Sequence, residues 1–307
     1  MISVIVPLYN EEENAELLYK ELADVLKKLK DGYEIIFIDD GSRDRTCEIL
    51  EKISKSDKKA KVIQFRRNFG QTAAVQAGID NASGDIIITM DGDLQNDPQD
   101  IPKLLEKINE GYDIVSGWRY NRNDSFQKKI FSRFSNRLAR YLTGIGLHDF
   151  GCSLKAYRKD VIKDIRLYGE MHRYIPAVAF KDGAKIAEIK VEHRRRKFGK
   201  SKYGMGRLMR GFLDLLYIKF WMDYSARPLH LFGFFGTAQI LLGILFAAYN
   251  LARYGLLLQV GPLLLLSIFL VSNGVLFVMF GFMGEIIVRT YYASKGETYY
   301  KIKKVVN

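Results

Sequence analysis

The chain has 307 residues, of which 48% are hydrophobic and 27% are charged, and this composition excludes a disordered protein. Lys and Arg number 47 against 35 Asp and Glu, and the formal net charge of +12 predicts an acidic partner such as nucleic acid, anionic lipid or a phosphorylated small molecule. Cys47 and Cys152 have no metal-ligand spacing and make a poor disulfide framework, so we expect a reducing compartment. The opening apolar run lacks a basic start, so no cleavable signal peptide is expected and the N-terminal part should stay in the cytoplasm.

Short β-rich runs alternate with segments of helical length and periodicity in the first part of the chain. The predicted strands are residues 3–8, 34–38, 61–65, 85–90 and 113–116. The predicted helices are residues 14–29, 45–54, 71–81 and 98–109. This rhythm predicts an α/β domain with a mostly parallel sheet covered by helices. Ligands of such sheets bind beyond the carboxyl ends of the strands, so the residues that follow each strand form the candidate site.

Two long apolar runs, residues 231–252 and 262–288, follow this domain. Each reaches the ~20 residues that a helix needs to cross the hydrocarbon core, although a pair of buried core helices is an alternative. The connection between them offers only Arg253 and the outer flanks are basic, so both ends should face the cytoplasm. Residues 205–224 mix apolar and basic side chains, which is typical of an interfacial helix or of an amphipathic helix packed on a core.

Acidic side chains follow two of the predicted strands. Asp39 and Asp40 end the second strand, and Asp91 and Asp93 flank Gly92 after the fourth. Carboxylates two residues apart can share a divalent cation, and hard oxygen ligands suit Mg²⁺ or Mn²⁺, which would bridge a diphosphate. A lone D-x-D triplet is more often a solvated turn, but its place at a strand end favours a metal site. The glycine-rich loops of ATPases and dinucleotide enzymes do not follow the first strand.

Four segments now make the sequence recognisable, because their order and spacing resemble the family-2 glycosyltransferases with the GT-A (Rossmann-like) fold. They are SVIVPLYNEEEN, IDDGSRDRT, RNFGQTAAVQAG and MDGDLQNDP. Residues 149–155, 169–173 and 196–203 are similar to the dolichyl- or polyprenyl-phosphate sugar synthase branch. The resemblance covers roughly residues 2–228. It implies a hexosyltransferase that uses Mg²⁺ or Mn²⁺ and moves a sugar from a UDP- or GDP-linked donor to undecaprenyl or dolichyl phosphate with inversion, for glycan or cell-envelope assembly.

The resemblance also implies roles for individual residues. The residues expected to bind the nucleotide sugar are Pro7, Tyr9, Glu11, Asp39, Asp40, Asp91 and Arg119. The expected metal ligands are Asp91, Asp93 and Gln95. The expected catalytic residues are Asp93, Asp149 and Arg119, with Arg119 on the donor phosphates and Asp149 orienting the acceptor phosphate or sugar hydroxyls. His172 and Arg173 are further candidates for a substrate contact. A helix-capping turn for Asp40, a turn for Asp149 and an ordinary exposed position for Arg119 remain as alternatives.

The acceptor side of this reaction calls for cations. A phosphate monoester has its second pKa near ~6, so at pH 7 a lipid phosphate is largely a dianion and needs no strong general base. Two anionic substrates must instead be held together, by a metal on the donor and by basic side chains on the acceptor. The candidates for the acceptor phosphate are Arg194, Arg195, Arg196, Lys200 and Lys202. A basic patch that attracts the membrane without specificity is the alternative, and both roles can coexist.

The resulting domain prediction has four parts. Residues 1–204 form a cytoplasmic GT-A catalytic domain, residues 205–228 amphipathic juxtamembrane helices, residues 229–290 a two-helix transmembrane hairpin, and residues 291–307 a basic cytoplasmic tail. The protein would lie in the inner (cytoplasmic) membrane, with Gly233, Gly236 and Gly243 permitting a homo-oligomer.

Other functions stay open on the sequence alone. A non-catalytic membrane scaffold or accessory subunit, or a transferase with another acceptor, is the main alternative, although the intact D-x-D argues against a scaffold. A processive polysaccharide synthase is disfavoured because the chain lacks a Gln-x-x-Arg-Trp stretch. Nucleic acid is not an expected partner, since only the net charge suggests it.

Overall fold

The computed structural model describes residues 1–120, 126–195, 205–224, 227–254 and 261–295. Contacts divide the chain into two compact units, Met1–Ile218 and Lys219–Asn307. The predicted domain boundaries remain predictions.

The described part of the first unit contains one seven-stranded sheet. Its strands are β1 Ile2–Leu8, β2 Tyr33–Asp39, β3 Ala60–Gln64, β4 Ile86–Thr89, β5 Ile114–Arg119, β6 Lys155–Arg158 and β7 Ile186–Val191. They lie in the order β3-β2-β1-β4-β6-β5-β7. Its helices are α1 Glu12–Leu26, α2 Thr46–Ser56, α3 Gln71–Asn81, α4 Ile101–Asn109, α5 Phe126–Thr143, α6 Lys159–Ile162 and α7 Ile175–Lys181, with 3₁₀ turns at Pro98–Asp100 and Met171–Arg173. The predicted α/β class is confirmed, and every predicted strand and helix has its counterpart within a few residues.

Helices cover both faces of the sheet, as the continuous apolar strands predict. The four residues 35–38 of β2 are all fully buried, which is expected for a strand packed on both faces. On one face, Leu18, Leu22 and Leu26 follow each other at helical spacing along α1 and are also fully buried. The core therefore fixes the strand ends from which the site residues project.

One strand runs against the others. β6 is antiparallel to β4 and β5, and its first residue, Lys155, pairs with Thr89 and with Ser116. The remaining pairings, β1–β2, β1–β4, β2–β3 and β5–β7, are parallel. The amino end of β6 therefore lies at the carboxyl edge of its neighbours, and the segment that precedes it joins the candidate site.

Helix α8, Met205–Tyr224, is followed by the two long helices of the second unit, α9 Pro228–Tyr254 and α10 Pro262–Lys295. The apolar parts, Pro228–Arg253 and Pro262–Val288, have mean hydropathies of 2.0 and 2.5 and are long enough to cross a membrane. Only 11% of each most apolar window is buried, which argues against the alternative of buried core helices.

Glycines bring α9 and α10 close together. A Cβ on Gly236 would lie 2.6 Å from the carbonyl oxygen of Gly274, and one on Gly243 would lie 2.8 Å from the side chain of Val271. The Asn273 amide also donates a 2.6 Å hydrogen bond to Gln239 across the pair. Gly236 and Gly243 are therefore used within the hairpin, and the homo-oligomer that they suggested stays a prediction.

Candidate functional site

The Asp91–Asp93 segment leaves β4 at the centre of the carboxyl edge. Gly92 packs so closely on the end of β1 that a Cβ there would lie 2.9 Å from Cγ of Leu8 and 3.0 Å from the carbonyl oxygen of Pro7. Leu94 follows with a left-handed φ of 60°, an unfavourable conformation for a non-glycine residue. Backbone strain held in place by packing is a common feature of functional sites.

The two carboxylates of this segment have different surroundings. Oδ1 of Asp91 accepts a 2.6 Å hydrogen bond from the side-chain amide of Gln71, and Oδ1 of the buried Asp93 accepts one of 3.1 Å from the backbone N–H of Gln95. Burial and the neighbouring charge of Asp93 raise the pKa of Asp91, while the Arg119 and Arg173 guanidiniums act in the opposite direction. Two neighbouring carboxylates repel each other because both are negative, and a cation between them relieves this repulsion.

A divalent cation fits this donor set. In the described residues no group of three or more His, Cys, Asp or Glu side chains could hold a metal by itself. Mg²⁺ and Mn²⁺ commonly bind through one or two carboxylates and complete their shell with substrate phosphates and water. The carboxylates of Asp91 and Asp93 would therefore hold the ion together with a bound diphosphate. Gln95 contributes a backbone hydrogen bond here, and its side-chain amide lies 3.4 Å from the carbonyl oxygen of Arg194.

Arg119 and Asp149 form a two-pronged ion pair at the end of β5. Nε and Nη2 of Arg119 donate to the two carboxylate oxygens of Asp149 at 2.7 and 2.9 Å, and both side chains are largely buried. Burial alone would lower the pKa of Arg119, but the Asp149 charge raises it, so the guanidinium stays cationic. The structure therefore brings these two predicted residues together, and the exposed-arginine alternative for Arg119 is wrong.

Asp39 and Asp40 are adjacent but differ in their bonding. Both oxygens of Asp40 are used by the segment after β3, accepting from the Asn68 side chain at 2.8 Å and from the backbone N–H groups of Phe69 and Gly70 at 2.7 and 3.0 Å. Asp39 accepts from the backbone of Ser42 through Oδ1.

The second oxygen of Asp39 is different. Oδ2 is buried and has no hydrogen-bond partner among the described residues. Burial, the charges of Asp39 and Glu51 and a contact with the Asp39 side chain raise the pKa of the Cys47 thiol to about 11, so the thiol stays protonated and offers Asp39 only a weak S–H donor. A buried carboxylate oxygen without a donor is costly, and a ligand hydroxyl or N–H would satisfy it. Of the two aspartates, Asp39 is thus the better candidate for a ligand contact.

The remaining predicted donor residues lie at the end of β1. Pro7 and Leu8 pair with Ile38 and Asp39 of β2, which places Tyr9 and Glu11 beside the Asp39 turn. The side chain of Glu11 accepts a 2.6 Å hydrogen bond from Asn14. Their predicted contact with a nucleotide sugar stays a prediction.

The basic segment, residues 194–202, begins beside the loop after β4 that carries Asp91, Asp93 and Gln95. The backbone N–H of Arg194 donates to the carbonyl oxygen of Gln95 at 2.8 Å, next to a bridge between Asn96 and His193. The Arg194 guanidinium is paired with Glu21 at 2.6 Å and with Asp97 at 2.7 Å. Among the other predicted acceptor residues, Arg195 is the last one described. Arg196, Lys200 and Lys202 lie outside the described residues.

His172 and Arg173 lie in the 3₁₀ turn that packs on α3. The Thr72 hydroxyl donates to the carbonyl oxygen of Gly169 at 2.5 Å and contacts Nδ1 of His172 at 2.6 Å. Since the single hydroxyl proton goes to the carbonyl, Nδ1 must be the donor of the second bond. The Arg173 guanidinium pairs with Glu170 at 3.3 Å.

Comparison with known proteins identifies the family. The sequence model of "Glycosyl transferase family 2" matches residues 3–166. This chain belongs to glycosyl transferase family 2. It is 40% identical to the dodecaprenyl-phosphate galacturonate synthase of Rhizobium johnstonii, over 99% of this chain and 92% of that protein. It is 36% identical to the undecaprenyl-phosphate 4-deoxy-4-formamido-L-arabinose transferase of Yersinia pestis, over 99% and 93%.

The GT-A fold of this family-2 glycosyltransferase is also confirmed. The glucosyl-3-phosphoglycerate synthase of Mycobacterium tuberculosis, solved with Mn²⁺ and UDP-glucose, superposes with a TM-score of 0.56 over 74% of this chain and 81% of its own. At 22% identity this likeness shows the fold alone.

Sequence reasoning missed several residues of the glycosyltransferase site. Gln71, Lys155 and Glu188 were given no role, yet each bonds a predicted site residue or the segment that carries one. Lys155 is fully buried and donates to the carbonyl oxygens of Phe150 and Arg173, and burial lowers its pKa to about 8. The available signal was that Gln71 and Lys155 lie within segments that carry the family resemblance, RNFGQTAAVQAG and residues 149–155.

Proposed function

We propose that this glycosyltransferase moves a sugar from a nucleotide-diphosphate sugar to a polyprenyl phosphate, with inversion at the anomeric carbon. The observation that carries the proposal is a backbone hydrogen bond between Arg194, where the basic residues 194–202 begin, and the loop that carries Asp91 and Asp93. The Asp91 and Asp93 carboxylates are suited to a metal diphosphate, and the backbone N–H of Arg194 holds the start of the basic residues on the same loop at Gln95. The two full-length relatives whose names specify polyprenyl-phosphate products support this acceptor.

The reaction does not require a covalent bond between the sugar and a protein side chain. The lipid phosphate is largely a dianion at pH 7, so one of its oxygens can attack the anomeric carbon directly while the nucleoside diphosphate leaves. A bound Mg²⁺ or Mn²⁺ would neutralise the diphosphate. Arg119 is held as a cation by Asp149 and would bind the donor phosphates, and Asp149 would keep that guanidinium in place. Attack by the acceptor itself, without an enzyme nucleophile, gives inversion.

The donor nucleoside would lie between the ends of β1 and β2. The buried Oδ2 of Asp39 would accept from a base N–H or a ribose hydroxyl, beside Pro7, Tyr9 and Glu11. Asp40 would support this pocket indirectly, because it holds residues 68–70 in place through three hydrogen bonds. The acceptor phosphate would meet Arg196, Lys200 and Lys202, while Arg194 is engaged with Glu21 and Asp97 and would hold the start of the basic segment on the domain.

Helix α5 supports a position of the catalytic domain at a membrane surface. It has 18 residues and no acidic side chain, and its basic residues are Lys128, Lys129, Arg133, Arg137 and Arg140. Ala139 and Thr143 are buried, whereas Tyr141 is 84% exposed. A basic amphipathic helix with an exposed aromatic side chain suits anionic headgroups. Together with the two apolar helices, this favours a multi-pass protein of the inner membrane with its catalytic domain and both termini in the cytoplasm.

A transfer assay tests the proposal. The full-length protein in detergent would be incubated with Mn²⁺ or Mg²⁺, undecaprenyl or dolichyl phosphate, and a panel of UDP- and GDP-sugars. The panel would include the galacturonate and 4-deoxy-4-formamido-L-arabinose donors that the relatives suggest. Mass spectrometry of the lipid fraction should show one lipid-phosphate sugar that EDTA abolishes. No lipid product with any donor, from a protein that still binds nucleotide, would contradict the acceptor assignment.

The variant Asp93→Asn tests the metal site in the same assay. It should reduce transfer by about 100-fold or more, because the amide cannot stabilise the metal as a carboxylate does, while the melting temperature stays near that of the wild type. Asp24→Asn, an exposed change on α1, is the matched control and should be without effect. Undiminished transfer by Asp93→Asn would overturn the metal assignment.

A further inference from the structure

Glu188 on β7 binds the backbone N–H groups of His148 and Asp149, next to the Arg119–Asp149 ion pair. Oε1 of Glu188 accepts hydrogen bonds from the backbone N–H groups of His148 at 2.8 Å and Asp149 at 3.0 Å. Its other oxygen lies 2.7 Å from Nδ1 of His148, whose ring stacks on Trp118 with centroids 4.3 Å apart. The Glu188 side chain is only 11% exposed, so it is held in this geometry. Successive N–H groups directed at one carboxylate form a strong, charge-assisted contact.

The next residue, Phe150, is held from two other elements. Its N–H donates to the side chain of Asn136 in α5 at 3.3 Å, and its carbonyl oxygen accepts from the Lys155 ammonium at 3.1 Å. The segment from residue 148 to residue 150 is therefore fixed by side chains of α5, β6 and β7 rather than by its own secondary structure. This segment carries the Asp149 carboxylate, which accepts two short hydrogen bonds from the Arg119 guanidinium.

We propose that Glu188 is a positioning residue for the transfer reaction, acting through Asp149 on the Arg119 guanidinium. The inference rests on the proposed role of Arg119 at the donor phosphates. A cation on a developing charge acts only if it is aligned before the reaction, and a shift of about 1 Å can cost on the order of 100-fold in rate. Without Glu188 the two N–H groups lose their acceptor, and the Asp149 segment can move.

The side chain that replaces Glu188 decides the size of the effect. Glu188→Ala removes every bond and should lower kcat/KM for the donor by about 10-fold or more. Glu188→Gln keeps one oxygen for the two N–H groups, and its amide can donate to the alternative tautomer of His148, so it should recover most of the loss. Glu34→Ala is the matched control, because Glu34 accepts from the Ser83 N–H and the Ser3 hydroxyl at the opposite edge of the sheet. It should leave kcat/KM within about 2-fold, since no site residue depends on it.

A double-mutant cycle separates positioning from general stability. In an Asp149→Asn background the added Glu188→Ala change should cost less than about 3-fold, because its route to Arg119 is already damaged. Equal fold losses in the two backgrounds would overturn the proposal. The same cycle can be measured as the affinity for UDP and for GDP with Mn²⁺, which involves no lipid acceptor. Wild-type nucleotide affinity without lipid product would then contradict the proposed acceptor but leave the cycle decisive.

Hydrogen exchange gives a readout that needs no substrate. In the full-length protein in detergent, Glu188→Ala should speed exchange of the His148 and Asp149 amides by about 10-fold or more, since their acceptor is gone. Glu34→Ala should leave these amides unchanged. Unchanged exchange in Glu188→Ala would show that the segment is held without Glu188 and would overturn the proposal on its own.

Discussion

Replacing Asp40 with alanine is expected to destabilise the catalytic unit, because this carboxylate is used by the protein itself. Three donors lose their acceptor: the Asn68 side chain and the backbone N–H groups of Phe69 and Gly70. A hydrogen bond to a charged group contributes about 1.5–3 kcal/mol when its donor is otherwise buried. Asn68 and Phe69 are exposed and can turn to water, so about 1 kcal/mol for each bond is the better figure. The free energy of unfolding should fall by about 3 kcal/mol in total.

The measurement is thermal unfolding of the full-length protein in detergent, followed by fluorescence. For a unit of this size 1 kcal/mol corresponds to about 2–4 °C, so the melting temperature should drop by about 6–12 °C. A saturating concentration of nucleotide with Mn²⁺ should still raise the melting temperature of Asp40→Ala, because binding to the folded state adds stability.

Asp39→Asn is the control one residue away. Its Oδ2 has no partner in the described part of the chain, so the melting temperature should stay within about 2 °C, while nucleotide affinity should fall by about 10-fold through the loss of a charge-assisted bond. The reasoning fails if Asp40→Ala melts like the wild type and has lost nucleotide binding, since Asp40 would then be a ligand contact.

Two further predictions concern the acceptor and the hairpin. Changing Arg196 and Lys200 together to alanine should raise the KM for polyprenyl phosphate by about 10-fold more than the KM for the donor, as expected for lost phosphate contacts; the reverse pattern, in steady-state assays, would move them to the nucleotide site. Gly236→Ala should destabilise the helix pair by about 1–3 kcal/mol through overpacking, because its Cβ would lie 2.6 Å from the Gly274 carbonyl oxygen. Its melting temperature should therefore fall. Gly233→Ala, whose nearest side-chain atom is 3.7 Å away on its own helix, should be tolerated, and equal melting of the two variants would argue against this packing.

The sequence predicted the strands and helices well where a periodic pattern is local. Residues 71–81 were predicted as a helix, and α3 has those bounds. β6 and β7 were not predicted: β6 is a four-residue strand, and its direction depends on pairing with Thr89 and Ser116 rather than on its own residues. Short strands gain their stability from neighbours, which one local window does not contain.

The candidate site shows the same limit. Asp91, Asp93, Arg119 and Asp149 could be named because each follows a strand or matches a family motif. The bonding that distinguishes Asp39 from Asp40 was not legible, since it is set by residues about 30 positions away in the loop after β3. Glu188 is farther still, 39 positions from Asp149, and nothing in its own strand indicates its task.

The reversed direction of β6 also governs where this protein can change without losing its chemistry. The chain enters β6 at the catalytic edge through residues 149–154 and leaves it at the opposite edge, into α6. Substitutions or insertions before β6 would therefore alter substrate handling, whereas those in α6 fall on the far side of the sheet. The exposed residues Lys163 and Asp164, directly after α6, are accordingly a suitable place for an affinity tag or a fluorophore on an active enzyme.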